Sequence, residues 1–401
     1  MARLVAALSG GVDSAVAAAR MVDAGHEVTA VHMALSRSPL ANRVGSRGCC
    51  SLEDANDARR VADALGLDFY VWDFSTEFAD QVITDFIDQY RAGRTPNPCL
   101  RCNERIKFAA LCDRALRLGF DGVITGHYAR VITRETDQGS IIELHRGLDQ
   151  AKDQSYVLGV LTQEQLRHSY FPLGDSDKPA IRAEAARRGL RISQKPDSYD
   201  ICFIPDGDTA GWLHDKLGRA PGMIVDQDGQ TIGQHDGVFA YTIGQRKGLH
   251  LGRPAADGRP RYVTGLDVDA NLVRVGSHDD LRVTSLIGVN PRWCDQPISQ
   301  AMNVTVQLRA HSGEIPAVVA PLLDAPVTSA IESVRTAASS TSAAAGAQPP
   351  IGDDMTPALL ANPRLSIRLT SPAYGIAPGQ SAVFYDGSRV IGSAIIDQTA
   401  D

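Results

Sequence analysis

Six residues, Ser9-Gly10-Gly11-Val12-Asp13-Ser14, stand between an apolar run at 3–8 and an Ala-rich run at 15–22 closed by Gly25. The order is a strand suited to burial, then a glycine turn, then a helix. That order commits the chain to a βα unit and restricts what can follow it. Two glycines let the backbone turn tightly and approach a ligand closely. The helix beyond them presents N–H groups and the positive end of its dipole to an anion. Taken alone, the turn predicts a phosphate site and an ordinary βα turn equally well.

The alternation continues. Strand-like runs at 27–35, 68–72 and 122–125 are separated by amphipathic helical runs at 52–65, 77–91 and 103–118. An arginine-bearing loop occupies 36–48, and Gly93-Arg-Thr-Pro-Asn-Pro98 breaks the helical pattern, because proline does not continue a helix. The expected fold is therefore α/β, with a doubly wound parallel sheet. Ligands in such sheets sit at the carboxyl ends of the strands. The glycine turn, Met33 and Thr125-Gly126-His127 all fall at such ends, which favours the phosphate reading. There His127 is expected to orient the nucleotide loop, with proton transfer as its alternative role.

The pattern then changes. Residues 128–133 and 141–146 read as a hairpin, 154–189 as helical, and 191–205 as a loop carrying Cys202. Short strand-like runs at 223–225, 239–242, 262–267 and 272–277 predict a small β-rich central domain over 206–280. Further runs at 304–309, 315–320, 365–369, 381–385 and 390–396 predict a C-terminal β-barrel over 281–401. An Ala/Ser/Thr/Pro-rich stretch at 322–361 reads as a flexible insertion. The first domain is expected to span 1–205.

The chain of 401 residues has no apolar run of transmembrane length and no signal-peptide pattern, so a cytoplasmic protein with no membrane partner is expected. A net charge of −7 argues against general stickiness to nucleic acid but leaves room for local basic surface. Arg91, Arg94, Arg101, Arg105, Lys107, Arg114 and Arg117 form one such cluster; Arg182, Arg187, Arg188, Arg191 and Lys195 form another. Both flank cysteines. Cys102 closes a Cys-x-x-Cys that starts at Cys99 and directly precedes the 103–118 helix, and a helix N-terminus lowers a thiol's pKa. Zinc is the alternative use of that pair. No second Cys-x-x-Cys or spaced His pair follows, so no structural metal is expected. A thioredoxin-like redox pair would need a different order of elements. Cys49 and Cys50 are read as peripheral, Cys112 and Cys294 as core thiols. Asp13 is either a Mg²⁺ ligand beside bound phosphate or a helix cap.

The glycine turn resembles the PP-loop of ATP pyrophosphatases. Gly93-Arg-Thr-Pro-Asn-Pro-Cys-Leu-Arg-Cys-Asn-Glu-Arg-Ile-Lys-Phe108, Thr125-Gly-His-Tyr-Ala-Arg130, Lys152-Asp-Gln-Ser-Tyr156, Asp197-Ser-Tyr-Asp-Ile-Cys-Phe203 and Tyr241-Thr-Ile-Gly-Gln-Arg-Lys-Gly248 narrow the resemblance to the tRNA-specific 2-thiouridylase (MnmA) family. It runs from residue 3 to about 320 and resumes near 364. It implies thiolation of the wobble uridine in tRNAs for Lys, Glu and Gln. It implies an ATP site over Ala7, Leu8, Ser9, Gly10, Gly11, Val12, Asp13 and Ser14, completed by Met33 and Gly126, with Mg²⁺ accompanying the nucleotide. Cys102 matches the nucleophile and Cys202 the persulfide-bearing cysteine. Asn97, Pro98 and Cys99 match a segment at the target base. Lys152, Asp153 and Gln154 match another tRNA contact, and Arg309-Ala310 stands where the family often has Arg-Tyr. A cysteine desulfurase or sulfur-relay protein is implied as persulfide donor, and a cellular reductant must reopen a Cys102–Cys202 disulfide. A PP-loop synthetase acting on a small molecule, and a zinc- or redox-linked nucleic-acid binding module, are the competing readings.

Overall fold

A computed structural model describes residues 1–36, 52–137, 139–196, 201–204, 206–251, 258–322 and 363–401. The glycine turn follows β1 (Arg3–Ala7) and opens α1 (Val12–Asp23). Then come β2 (Glu27–Ala34), α2 (Leu52–Leu65), β3 (Phe69–Asp73) and α3 (75–91). A second long helix, α4 (98–117), leads into β4 (Gly122–Ile124). The hairpin β5 (Ala129–Thr136) and β6 (Gly139–Arg146) follows. Beyond it lie α5 (Ser155–Leu158), α6 (Gln163–Arg167), β7 (Ser169–Tyr170) and α7 (Lys178–Arg187). The helical stretch expected at 154–189 is thus three short helices interrupted by a sheet strand.

Strands β1, β2, β3, β4 and β7 form a parallel sheet in the order β3-β2-β1-β4-β7. Its centre is buried on both faces: Leu4, Val5, Ala30, Val31, Val123 and Ile124 are at most 1% exposed. The alanines of α1 suit this position, since Ala15, Val16, Ala17, Ala18 and Ala19 bury almost completely and let the helix lie close against the sheet.

After α8 (Thr209–Leu217), strands β8 (Gly222–Val225), β9 (Thr231–His235), β10 (Tyr262–Asp267) and β11 (Leu272–Gly276) make a small sheet in the order β10-β11-β8-β9. The strand expected at 239–242 is absent; a 3₁₀ turn at Val238–Ala240 buries Val238 and Phe239 instead. The true edge strand, 231–235, lacks the apolar alternation that would reveal it.

Strands β12 (Arg282–Trp293), β13 (Met302–Gln307), β14 (Glu314–Leu322), β15 (Arg364–Tyr374), β16 (Ser381–Asp386) and β17 (Arg389–Ala400) pair antiparallel. Their order is β12-β15-β14-β13-β16-β17, and β17 pairs back to β12, which closes a six-stranded barrel. Residues 323–362, most of the expected insertion, lie outside the described residues.

The hairpin β5–β6 joins the barrel rather than the parallel sheet, through Arg389 opposite His145. Ala129 and Leu144 from the hairpin, Leu100 and Phe108 from α4, and Val383, Tyr385 and Val390 from the barrel share one core. Arg292 of β12 also reaches Glu104 of α4 at 2.8 Å. The barrel is therefore packed onto the helix that carries the Cys-x-x-Cys. Leu144, fully buried in that joint core, tests this coupling: Leu144→Ala should lower the unfolding free energy by about 2–5 kcal/mol in urea titrations. A loss of a few tenths would mean that the hairpin is peripheral.

Candidate functional site

The nucleotide turn is folded by its own serines. Ser14 Oγ donates to the Gly11 carbonyl at 3.1 Å and accepts from the Ser9 amide at 3.1 Å. Helix α1 starts at Gly11 with no side-chain cap, so its first N–H groups remain available for a ligand. Two glycines fix how tightly the turn is gripped. Gly10 has φ +77°, and a Cβ there would lie 2.4 Å from the Asp54 carbonyl oxygen. A Cβ on Gly126 would lie 2.6 Å from the Ser14 nitrogen. The end of β4 thus meets the turn backbone to backbone, as a site for a nucleotide's phosphates requires.

Asp13 is not a helix cap: its carboxylate turns sideways. Lys178 Nζ donates to both of its oxygens, at 2.9 and 2.7 Å, and Tyr128 Oη donates to Oδ1 at 2.7 Å. The cation that this carboxylate needs is therefore an ammonium. The expectation of Mg²⁺ on Asp13 does not fit a carboxylate already bonded in this way. A second lysine holds the other side of the turn. Lys195 Nζ donates to the Gly10 carbonyl at 3.1 Å, to Asp54 at 2.8 Å and to Asp57 at 2.7 Å.

His127 is buried, with Nδ1 2.7 Å from Thr125 Oγ1 and its ring against Phe108 and Phe171. Burial, reinforced by the Lys107 charge, holds its pKa well below the ordinary imidazole value. A neutral, packed ring suits an orienting role. His32 of β2 is also buried, its Nδ1 2.9 Å from the Leu8 carbonyl.

The cysteine segment departs from the sequence expectation in one respect. The helix begins at Pro98, not after Cys102. Asn97 is the N-cap, its Oδ1 accepting from the amides of Cys99 at 3.0 Å and Leu100 at 3.3 Å, with proline in the first turn. Cys102 therefore sits a full turn inside α4, where the helix passes into a π-helical segment at Asn103–Ala110. The helix-start argument applies to Cys99, not to Cys102. π-Helical turns recur at functional sites, and this one begins directly after Cys102.

Cys102 is 8% exposed, within an apolar cluster that includes Val31, Leu35, Phe78, Val82 and Ile106. Ala7, Met33, Cys202 and Phe203 pack against the same cluster. Phe203 anchors the Cys202 segment: its ring lies 5.9 Å from that of Phe78, 5.2 Å from Phe86 and 5.4 Å from Trp212. Cys112 and Cys294 are buried elsewhere. Burial pushes the Cys112 thiol up to about 11 and that of Cys294 higher still, so both stay protonated. Cys49 and Cys50 lie outside the described residues. Among those residues, no three His, Cys, Asp or Glu side chains converge as a metal site would need.

The chain was compared with known proteins. The family model for a tRNA methyl transferase HUP domain matches residues 2–206, that for the corresponding PRC-barrel domain 210–277, and an aminomethyltransferase β-barrel model 356–396. A tRNA-specific 2-thiouridylase MnmA from Acidothermus cellulolyticus is 55% identical over 397 residues, covering 99% of this chain and 98% of that protein. The chain belongs to the MnmA family. An MnmA from a Nocardioides species is 54% identical over 402 residues, again covering 99% and 98% of the two chains. Among solved structures, a 4-thiouridine synthetase–RNA complex with bound ATP superposes at a TM-score of 0.33, with 17% identity over 51% of this chain and 46% of that one. So partial a likeness carries no argument.

Other positions that the MnmA resemblance singles out are held by contacts of their own. The Asp153 carboxylate accepts from Arg146 at 2.7 Å, Gly147 N at 2.9 Å and the Ser155 hydroxyl at 2.8 Å, so it shapes its loop. Gln154 Oε1 accepts from the Tyr128 amide at 3.1 Å. Lys152 is half-buried on the same loop. The Arg309 guanidinium donates to the carbonyls of Tyr374 and Gly375 at the barrel end, and Ala310 packs against the core shared by hairpin, α4 and barrel. Much of the basic clustering is used internally. Arg101 pairs with Asp85 and Glu104, Arg94 with Asp397, and Arg188 with Asp23 and Glu184.

Sequence reasoning passed over Tyr128 and Lys178 and counted Lys195 only as part of a charge run. One signal was present for Lys178: it sits in the first turn of α7 beside its Asp177 cap, where the helix dipole disfavours a cation. A lysine there needs a nearby anion.

Two outcomes follow from the geometry. Gly126→Ala should weaken ATP binding about tenfold or more, because the turn must move away from the added methyl; unchanged affinity in equilibrium dialysis would contradict the close approach. His127 refuses a proton that the unfolded chain accepts near pH 6.5, so its contribution is complete above about pH 6.5 and is lost as the pH falls below it. His127→Gln should therefore melt with a smaller drop between about pH 7.5 and about pH 5.5 than the parent chain.

Proposed function

We propose that the chain thiolates the 2-position of the wobble uridine in tRNA, with ATP activating the oxygen and two cysteines delivering the sulfur. The observation that carries this reading is the common cluster. Ala7 and Met33 at the nucleotide edge of the sheet, Cys102 of α4 and Cys202 of the segment before α8 all pack on one apolar surface. Family membership at 55% identity over 99% of the chain supports the same reaction.

A uracil carbonyl oxygen is a poor leaving group. Attack of that oxygen on the α-phosphorus of ATP expels pyrophosphate and converts it into part of an AMP ester. The protein's part is positioning and charge neutralisation by the turn's amides and the α1 dipole. Asn97 and Cys99 at the start of α4, and a cleft of about 680 Å³ between that helix and the barrel, lined by Asn97, Arg101, Arg105 and Arg292 together with Asp85 and Glu104, offer a polar surface for the RNA. An anticodon-loop base can be splayed from its neighbours and brought to such a site.

Sulfur arrives on Cys202 as a persulfide from a cysteine desulfurase or a sulfur-relay protein. Its terminal sulfur attacks C2 and AMP leaves. Cys102 thiolate then attacks Cys202 Sγ, which releases the thiolated base and leaves a Cys102–Cys202 disulfide. Alternatively Cys102 attacks first and frees hydrosulfide, which attacks C2. Either way two electrons from a reductant must restore the thiols. Bridging requires Cα atoms about 4.4–6.8 Å apart. The tRNAs for Lys, Glu and Gln are the proposed substrates.

Nucleoside mass spectrometry of tRNA incubated with ATP, a persulfide donor and the enzyme tests this. Cys102→Ser and Cys202→Ser should each lower 2-thiouridine by at least about a hundredfold, the scale of losing an essential nucleophile. Full thiolation by Cys202→Ser would refute the two-cysteine route.

A further inference from the structure

The loop between β6 and α5 is built around the two residues that hold Asp13. Tyr128 and Lys178 belong to different segments, fifty positions apart, yet the same loop grips each of them by its main chain. Gln154 Oε1 accepts from Tyr128 N at 3.1 Å, and Gln154 N donates to the Tyr128 carbonyl at 2.9 Å. Asp149 Oδ2 accepts from Lys178 N at 3.1 Å. The loop is itself stiff. Asp149 also accepts from Ala151 N at 3.0 Å, and Asp153 Oδ1 accepts from Gly147 N at 2.9 Å and Ser155 N at 3.1 Å. At the other end, the Tyr128 phenol and the Lys178 ammonium close on Asp13 at 2.7–2.9 Å. The Lys178 side chain is only 10% exposed. Asp13 lies in the first turn of α1, next to Ser14, on the segment expected to cradle phosphate.

We propose that Tyr128 and Lys178 are positioning residues that couple the 149–154 loop to the nucleotide turn, so that RNA seated on this loop tightens ATP binding. The inference rests on the function proposed above and on the resemblance that matches Lys152, Asp153 and Gln154 to a tRNA-contacting segment. A stiff loop that an RNA displaces carries the backbones of Tyr128 and Lys178 with it. Their side chains then move Asp13 and the start of α1. By linkage, ATP tightens RNA binding by the same factor. ATP would thus be held productively only when the base to be activated is present. A purely structural role for these contacts makes a different prediction, because it lowers ATP affinity equally with and without RNA.

The test uses the full chain and α,β-methylene ATP, which cannot lose pyrophosphate. Its dissociation constant is measured with and without saturating tRNA bearing an unmodified wobble uridine. For the parent chain, tRNA should tighten binding about fivefold or more. Tyr128→Phe keeps the ring and removes only the hydroxyl; its ratio should fall below about twofold while tRNA is still bound. Asp149→Ala, which touches no atom of Asp13, should reduce the ratio in the same way. A parent ratio of one, or variants with the parent's ratio, would overturn the proposal; so would a loss of affinity equal in the two conditions. Thiolation is followed in the same samples. A chain that thiolates but shows no coupling sinks this proposal alone. A chain that binds no tRNA sinks the underlying reading as well.

Discussion

The active centre depends on two places where no side chain fits. Gly10 lies against the Asp54 carbonyl and Gly126 against the Ser14 and Asp13 backbones. These approaches press the turn between α2 on one side and the end of β4 on the other. Among the described residues, three side chains from distant segments grip this turn: Lys195 at the Gly10 carbonyl, Lys178 and Tyr128 at Asp13. A loosened turn would leave these side chains holding nothing in register. Preorganisation of this kind supplies much of the electrostatic stabilisation in phosphoryl and adenylyl transfer.

The second requirement of the proposed reaction is that sulfur reach the same sheet edge. The fold does this through shared cores. Helix α4 carries Cys102 and packs both on the parallel sheet and, through Leu100 and Phe108, on the barrel side. Phe203 fixes the far cysteine by entering the aromatic group of Phe78, Phe86 and Trp212, which spans α3 and α8. The β-rich half of the chain thus has a task in the proposed reaction: through the β5–β6 hairpin and Arg292 it buttresses the helix that carries Cys102.

Much of this was legible in the residues. The parallel sheet followed from alternating apolar runs, and the nucleotide turn from its glycines at a strand end. The barrel followed from short strands with turn signals. Local order at α4 is hidden in the sequence because proline reads as a helix breaker, whereas Pro98 is the first residue of the helix, capped by Asn97. The same error gave Cys102 a helix-start environment that belongs to Cys99. Strand 231–235 was missed because Thr-Ile-Gly-Gln-His carries almost no period-two signal. Lys178, Tyr128 and Lys195 were invisible for another reason: each acts on a residue far away in sequence, and no local pattern encodes such a partner. Asp13 shows the consequence: its position calls for a cation, and the chain itself supplies one in Lys178.

The central claim is that one active surface joins the nucleotide turn to both cysteines. A single turnover without added reductant tests it most directly, with persulfide-loaded enzyme, ATP and unmodified tRNA, followed by alkylation and peptide mapping. The account predicts a Cys102–Cys202 disulfide forming in step with 2-thiouridine and AMP, about one bridge per thiolated base. Stoichiometric 2-thiouridine with Cys102 and Cys202 both still open to alkylation would contradict it.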